Sequence, residues 1–206
     1  WFCDDTWRFD TFSSKACWAF DHCSTPEPSF VSRFKDIGYE NIHLANWYAN
    51  SDCYPPVTKD IEISFTGGLN TDRKEFLTVC NVPIMMPTKT LTLGQLFNFY
   101  CRSKIGLNLS VNANDPEKKT QMKQRVFELA AARCLVLSEY TPGIEDFFEI
   151  DKEIVTFSGV EDFEKKVNYL LDNPDVVEKV ATAGYERFLK DHESKVRLKT
   201  LLEKII

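Results

Sequence analysis

Lys123, Arg125 and Glu128, followed by Glu139, Thr141-Pro142-Gly143 and Glu145, are the residues whose types and spacing best suit work on a ligand. Arg125 and Glu128 are three apart and share one face of a helix. Near a helix start, Lys123 and Arg125 add positive charge to backbone N–H groups that already favour anions. A carboxylate one turn further on can accept two hydrogen bonds from a ribose diol. Cation, carboxylate and glycine turn together suit a nucleoside diphosphate. The competing reading is a solvated helix face with one Arg–Glu pair, worth about 0.2–0.5 kcal/mol.

Other candidates stand alone. Gly67-Gly68 follows a predicted strand, where it either lets backbone approach a phosphate or serves turn geometry only. It is not G-x-G-x-x-G, and no P-loop occurs. Asp4-Asp5 offers two carboxylates for a metal or a base, although neighbours in a strand point to opposite faces. His22 closes an apolar stretch and is either a base in a cleft or a structural histidine. With only His22, His43 and His192, and seven cysteines that form no C-x-x-C pair, material for a zinc site is poor, and no metal is expected. The odd cysteine count reads as reduced, buried thiols in a cytoplasmic protein. Asn108-Leu109-Ser110 matches a glycosylation sequon by pattern only, inside a predicted strand. No G-x-S-x-G, H-E-x-x-H or Cys/His nucleophile arrangement is present.

The elements that must position these groups follow from hydrophobic periodicity. Ile61, Ile63 and Phe65 alternate and predict a strand. Asn70-Thr71 caps a helix running to about Cys80. Val82–Met86 reads as a short strand that Pro83 confines to a start or an edge. Thr92-x-x-Gln95 is a capping box ahead of Leu93, Leu96, Phe97 and Tyr100. Ile105, Leu107 and Leu109 predict a strand, Val111–Lys119 a polar loop, and Gln121–Ala132 a helix. Cys134–Ser138 reads as a buried parallel strand, and Ile154–Phe157 as one more. Ser158-x-x-Glu161 is a second capping box. Asn173-Pro174 starts another helix, with Pro at its first position, and a last helix carries Val196, Leu201, Leu202 and Ile205. Upstream, strands are predicted at Trp1–Cys3, Phe20–Ser24 and Asn41–Leu44, with a helix at Ser29–Ile37 ending in Gly38.

Strands alternating with helices predict an α/β protein, with a Rossmann-like parallel sheet carrying helices on both faces. Such sheets take ligands at the carboxyl ends of their strands. The ligand is therefore expected over Gly67-Gly68, the end of the 105–110 strand, and Ser138–Gly143. Among the 206 residues, 43% are hydrophobic and 27% charged, which suits a globular protein. The net charge of −6 argues against a nucleic-acid binder. No apolar run is long enough for a transmembrane helix. The N-terminus lacks the pattern of a signal peptide, and with no initiator Met the chain reads as a fragment, a cleaved product or part of a longer one.

The run DDTWRFDTFS, then AFDHCST, then Ile37–Ile42 resembles the CgeB-like (spore-maturation-type) glycosyltransferases. So does IEISFTGGLNTDRKEF, where that family has a strand, a glycine turn and an arginine, here Arg73. SKIGLNLS, QRVFELAAARCLVLSEYTPGIEDFFEIDKEIVTF and AGYERFLKDH extend the likeness over nearly the whole chain. The resemblance implies a GT-B fold of two Rossmann-like halves. Residues 1–57 would then close the acceptor-side domain, 58–192 form the donor-binding domain, and 193–206 form a C-terminal helix crossing back to the first. It implies transfer of a sugar from a nucleotide-diphosphate donor to an unknown acceptor (glycan, protein or small molecule), without a metal or other cofactor. Glu128 matches the residue that holds the ribose, and Lys123 and Arg125 match the basic pair at the diphosphate. Gly67-Gly68 and Thr141-Pro142-Gly143 match loops near phosphates and sugar. Arg73 and Glu145 join this donor-binding set, and Asp4, Asp5 and His22 are the catalytic candidates. The alternative is a non-catalytic Rossmann-like module that binds a nucleotide or a partner.

Overall fold

The computed structural model describes residues 8–111 and 120–206. Asp4, Asp5, the predicted strand at Trp1–Cys3 and most of the predicted loop after Val111 lie outside the described residues. The chain divides into two compact units, one of residues up to Tyr48 together with Ser194–Ile206, the other Ala49–Glu193.

In the first unit, short helical turns follow one another over Phe9–Ser13, Ser14–Ala16 and Cys17–Ala19. Strand β1 (Cys23–Thr25) runs parallel to β2 (Ile42–Leu44), with Cys23 opposite Ile42. Helix α1 (Pro28–Asp36) joins them; Pro28 opens it, where a missing N–H costs nothing. Gly38 ends this helix at φ +86°, a left-handed turn that suits glycine. Phe9, Phe34, Tyr39 and Ile42 form the core beneath it.

In the second unit, four alternating or apolar segments become β3 (Ile61–Phe65), β4 (Ser103–Asn108), β5 (Leu135–Glu139) and β6 (Val155–Phe157). They form one parallel sheet in the order β3-β4-β5-β6. Ile63 lies opposite Ile105, and Leu107 opposite Leu137, so their side chains stack across the sheet into a shared core. Between the strands run α2 (Thr71–Val79), α3 (Leu93–Cys101) and α4 (Gln124–Ala131); α5 (Gly159–Asp172) and α6 (Pro174–Asp191) close the unit. Asn70 Oδ1 accepts from Arg73 N–H at 2.9 Å and caps α2. Thr92 and Gln95 form the predicted capping box on α3. Gly106 in β4 has no room for a methyl group, because the Leu129 side chain of α4 occupies that space. The closing segment of the chain carries α7 (Ser194–Leu202).

Three local expectations are corrected. Val82–Met86 is not a strand. Only Met85 pairs, through N–H to Ile63 O at 2.9 Å and O from Phe65 N–H at 3.0 Å, because Pro83 and Pro87 cannot donate to a ladder. The Ser158 capping box does not form. Asp162 accepts from Ser158 N–H at 2.9 Å instead, with Gly159 entering the helix at φ +80°. Residues 49–57 belong with the second unit, where Tyr54 is buried and its ring lies 4.9 Å from Phe97.

Lys59 supports the amino-terminal edge of this sheet. Its ammonium donates to Cys101 O, Ser103 O and Ala132 O at 2.7–3.1 Å, gathering the ends of α3 and α4 at one point. Carbonyls at helix ends carry partial negative charge, which an ammonium complements.

Candidate active site

At the carboxyl end of β3 the chain turns through Thr66-Gly67-Gly68 into α2. The asparagine cap fixes the first turn of that helix, and with it Arg73. The Arg73 guanidinium donates to Gly68 O at 2.9 Å and Leu109 O at 3.2 Å. It thereby ties the loop after β3 to the loop after β4. Arg125 comes from the first turn of α4 and donates to Asn108 Oδ1 at 3.4 Å. Both guanidiniums lie over the ring of Phe65, the last residue of β3, with carbon-to-centroid distances of 5.9 Å for Arg73 and 5.3 Å for Arg125. A methyl group on Gly67 would sit 2.6 Å from Arg125 Nη2, so the glycine makes room for the arginine.

No carboxylate among the described residues forms an ion pair with either cation. Arg73 Nε and Arg125 Nε are buried and find no hydrogen-bond partner among the described residues. Burial and the neighbouring Arg125 charge pull Arg73 below its ordinary pKa, and Glu139 offsets this only in part. The Glu139 carboxylate is turned to backbone, accepting from Ser110 N–H at 2.7 Å and Val111 N–H at 3.2 Å. Asn108, fully buried, donates to Ser110 Oγ at 3.0 Å and Ser138 Oγ at 2.9 Å, which joins the ends of β4 and β5. Buried polar groups at strand ends, once paired, hold the backbone in a single arrangement.

Glu128 stands one helical turn beyond Arg125. Burial pushes its carboxyl above the usual glutamate range, and the Arg125 charge opposes that shift. Close by, Tyr100 shares a 2.6 Å hydrogen bond with Thr66 at the end of β3. The result is a group of two arginines and one glutamate near the carboxyl ends of β3 and β4. It can hold an anion of two phosphates and accept hydrogen bonds from a neighbouring diol.

The remaining candidates fall in different places. Lys123 is the N-cap residue of α4 and makes no side-chain cap bond. Thr141 is buried, and its Oγ has no hydrogen-bond partner among the described residues. Pro142 and Gly143 are exposed, and Gly143 turns the chain at φ +87°. Glu145 is exposed and accepts from the Tyr140 hydroxyl at 2.9 Å. His22 lies in the first unit, just before β1, with Nδ1 at 3.1 Å from His43 Nε2. Burial and the His22 and Lys204 charges lower the His43 pKa. Composition and spacing did not select Phe65, Asn108, Tyr100 or Glu139's backbone role. The alternation of Asn108 and Ser110 within an apolar strand was the available sign.

A cavity of about 510 Å³ opens at the amino ends of β3 and β4, away from the arginines. Among its charges, Lys104 meets Glu62 at 2.6 Å, and Arg133 donates to Tyr54 O and the Tyr185 hydroxyl. Among the described residues no group of three or more His, Cys, Asp or Glu side chains could hold a metal ion. No described helix is long and apolar enough to cross a membrane.

Solved glycosyltransferases share this architecture. Alr3699/HepE of Anabaena, solved in complex with UDP, aligns with a TM-score of 0.70 at 8% identity, over 89% of this chain and 63% of that one. Sucrose-phosphate synthase from Thermosynechococcus elongatus aligns with a TM-score of 0.64 at 10% identity, over 90% of this chain and 58% of that one. A glycosyltransferase from Rickettsia africae aligns with a TM-score of 0.63 at 12% identity, over 98% of this chain and 67% of that one. The chain thus spans 58% to 67% of the length of these structures and shares their GT-B fold. No curated protein matches the sequence. The profile of a family described as glycosyl transferase-like matches residues 76–203, which take in α4, β5 and the helices that close the second unit. That match covers more than half of the chain, which therefore belongs to the glycosyl transferase-like family.

Proposed function

We propose that residues 49–193 form the donor-binding part of a glycosyltransferase of the CgeB-like branch, which transfers a sugar from a nucleoside diphosphate to an acceptor. The observation that carries this reading is the pair of arginines over Phe65, with buried Nε–H groups that lack protein partners among the described residues. A buried donor left unpaired costs about 1–3 kcal/mol, which a diphosphate oxygen would remove. Alr3699/HepE, similar in fold, was solved in complex with UDP, which supports a nucleotide as the ligand.

In this mechanism Arg73 and Arg125 bind the diphosphate and gain strength as negative charge builds on it in the transition state. Interactions that strengthen as the reaction proceeds are the ones that accelerate it. Glu128 accepts the ribose hydroxyls and sets the distance from base to phosphate. The N-terminus of α4, with Lys123 at its cap, adds a favourable potential for the anion. Thr141, buried just after β5, is assigned to the donor, while Pro142, Gly143 and Glu145 shape the exposed loop. The two guanidiniums supply the positive charge that a metal would otherwise provide, so the reading is metal-independent. The acceptor half would draw on Asp4, Asp5 and His22, and a reducing, cytoplasmic setting fits the unpaired cysteines.

The test is a thermal-shift panel of UDP, GDP, dTDP and CMP with their common sugars, with and without EDTA. A ligand at about 100 times its dissociation constant stabilises the folded state by about 2.7 kcal/mol. The expected result is one nucleotide giving an EDTA-insensitive shift that disappears in Arg125→Ala and Arg73→Ala. No shift with any nucleotide on a folded sample would overturn the reading. Binding without sugar transfer by the full-length protein would assign the non-catalytic module instead.

A further inference from the structure

We infer that Phe65 is a positioning residue: its ring is the shared platform that orients Arg73 and Arg125 as one clamp for the diphosphate. This rests on the donor-site reading above. The two arginines arrive from different helices, α2 and α4, yet their guanidinium carbons lie 5.9 and 5.3 Å from the same ring centroid. Phe65 is buried at 2% exposure, so the ring cannot turn away from them into solvent. It ends β3, and its N–H donates to Met85 O at 3.0 Å, which anchors the backbone under the ring.

The ring acts together with the hydrogen bonds that hold each arginine. Arg73 is tethered through Nη1 and Nη2, and Arg125 donates to Asn108 Oδ1 at 3.4 Å and meets the Tyr100 hydroxyl, while both Nε groups remain unpaired among the described residues. Two like charges placed side by side repel, and a ring face offsets that by attracting both cations through its quadrupole. Gly67 completes the arrangement. Its Cβ position is 2.6 Å from Arg125 Nη2 and 3.3 Å from the Phe65 ring edge, so any side chain there would displace the clamp. An aromatic at this position therefore sets the geometry of the phosphate site without touching the phosphate.

The experiment measures the affinity of inorganic pyrophosphate, UDP and uridine for wild type, Phe65→Leu and Phe65→Tyr, with circular dichroism as the folding control. Pyrophosphate and UDP are expected to bind about tenfold more weakly to Phe65→Leu. Uridine affinity should be unchanged, and Phe65→Tyr, which keeps the ring, should restore wild-type binding. Equal loss of uridine and pyrophosphate affinity, or no loss of either, would overturn the inference. Should Phe65→Leu fail to fold, the wild-type protein still decides the matter. The Arg73 and Arg125 side-chain NMR resonances are expected upfield from the ring current of Phe65, and random-coil positions for both would overturn the inference. Wild type that binds neither pyrophosphate nor UDP would remove the donor-site reading, whereas binding that is indifferent to Phe65 would remove only this inference.

Discussion

At the residue scale, Glu128 is the most informative titrating group. Burial raises its carboxyl pKa, and Arg125 counteracts this in part. The protonated form is thus favoured by folding. Glu128 contributes stability at low pH that is lost as pH rises from the ordinary glutamate value through the raised one, and it is a constant cost above that. Ligand binding has the opposite sign, because a ribose diol needs the carboxylate as acceptor. Affinity for the donor nucleotide is expected to fall on acidification at a pH above the ordinary glutamate range. In Glu128→Gln the same titration should be flat and weaker at neutral pH. Calorimetric titration between about pH 5 and about pH 8 checks this, and an identical pH profile for both proteins would refute it.

At the scale of elements, the site depends on how closely α4 seats on β4. Gly106 permits that approach because Leu129 fills the space a side chain would take. Gly106→Ala is expected to cost about 1–3 kcal/mol through overpacking. In the double variant with Leu129→Ala the two costs should be less than additive, since the smaller residue relieves the crowding. Urea denaturation of the four proteins in this cycle measures the coupling, and strict additivity would show that the helix is seated by other contacts. The capping box on α3 gives an independent case, where Thr92→Ala should cost about 1 kcal/mol in the same assay without altering nucleotide affinity.

For the whole molecule, the cysteines report on compactness. Cys17, Cys23, Cys80, Cys101 and Cys134 are buried and unpaired, and Cys53 is partly exposed. Burial pushes the Cys134 thiol up to about 12 and raises the Cys17, Cys80 and Cys101 thiols as well. Thiols with such raised pKa values are poor nucleophiles. With a thiol reagent under native conditions, Cys53 is expected to react fastest among the described cysteines, and the buried ones only on denaturation. Mass mapping of the labelled sites settles it; early labelling of Cys101 or Cys134 would mean that the sheet unit opens readily. Protection on nucleotide binding gives a second reading at this scale. Slower hydrogen exchange is expected at residues 65–73, 108–111 and 124–128, at the carboxyl ends of the sheet.

The sequence by itself determined the α/β class, the positions of the four strands of the parallel sheet, and the Asn70 and Thr92 caps. Each of these rests on local signals: alternation in β3 and β4, a continuous apolar run in β5, and side chains that bond their own neighbouring backbone. It also brought out Arg125 and Glu128, because three-residue spacing on a helix is a local property. Spacing did not bring out Arg73, which entered through family resemblance. Only the tertiary structure decided that Arg73 and Arg125 meet over Phe65, that Glu139 turns its carboxylate to the backbone of the next strand's loop, and that Asn108 bridges two strand ends. Those contacts join residues 29 to 60 positions apart or cross between helices and strands, so no local pattern encodes them. The failed Ser158 capping box and the failure of Val82–Met86 to form a strand have the same origin. A left-handed glycine and two prolines outweighed a favourable local motif once the surrounding packing had fixed the path of the chain.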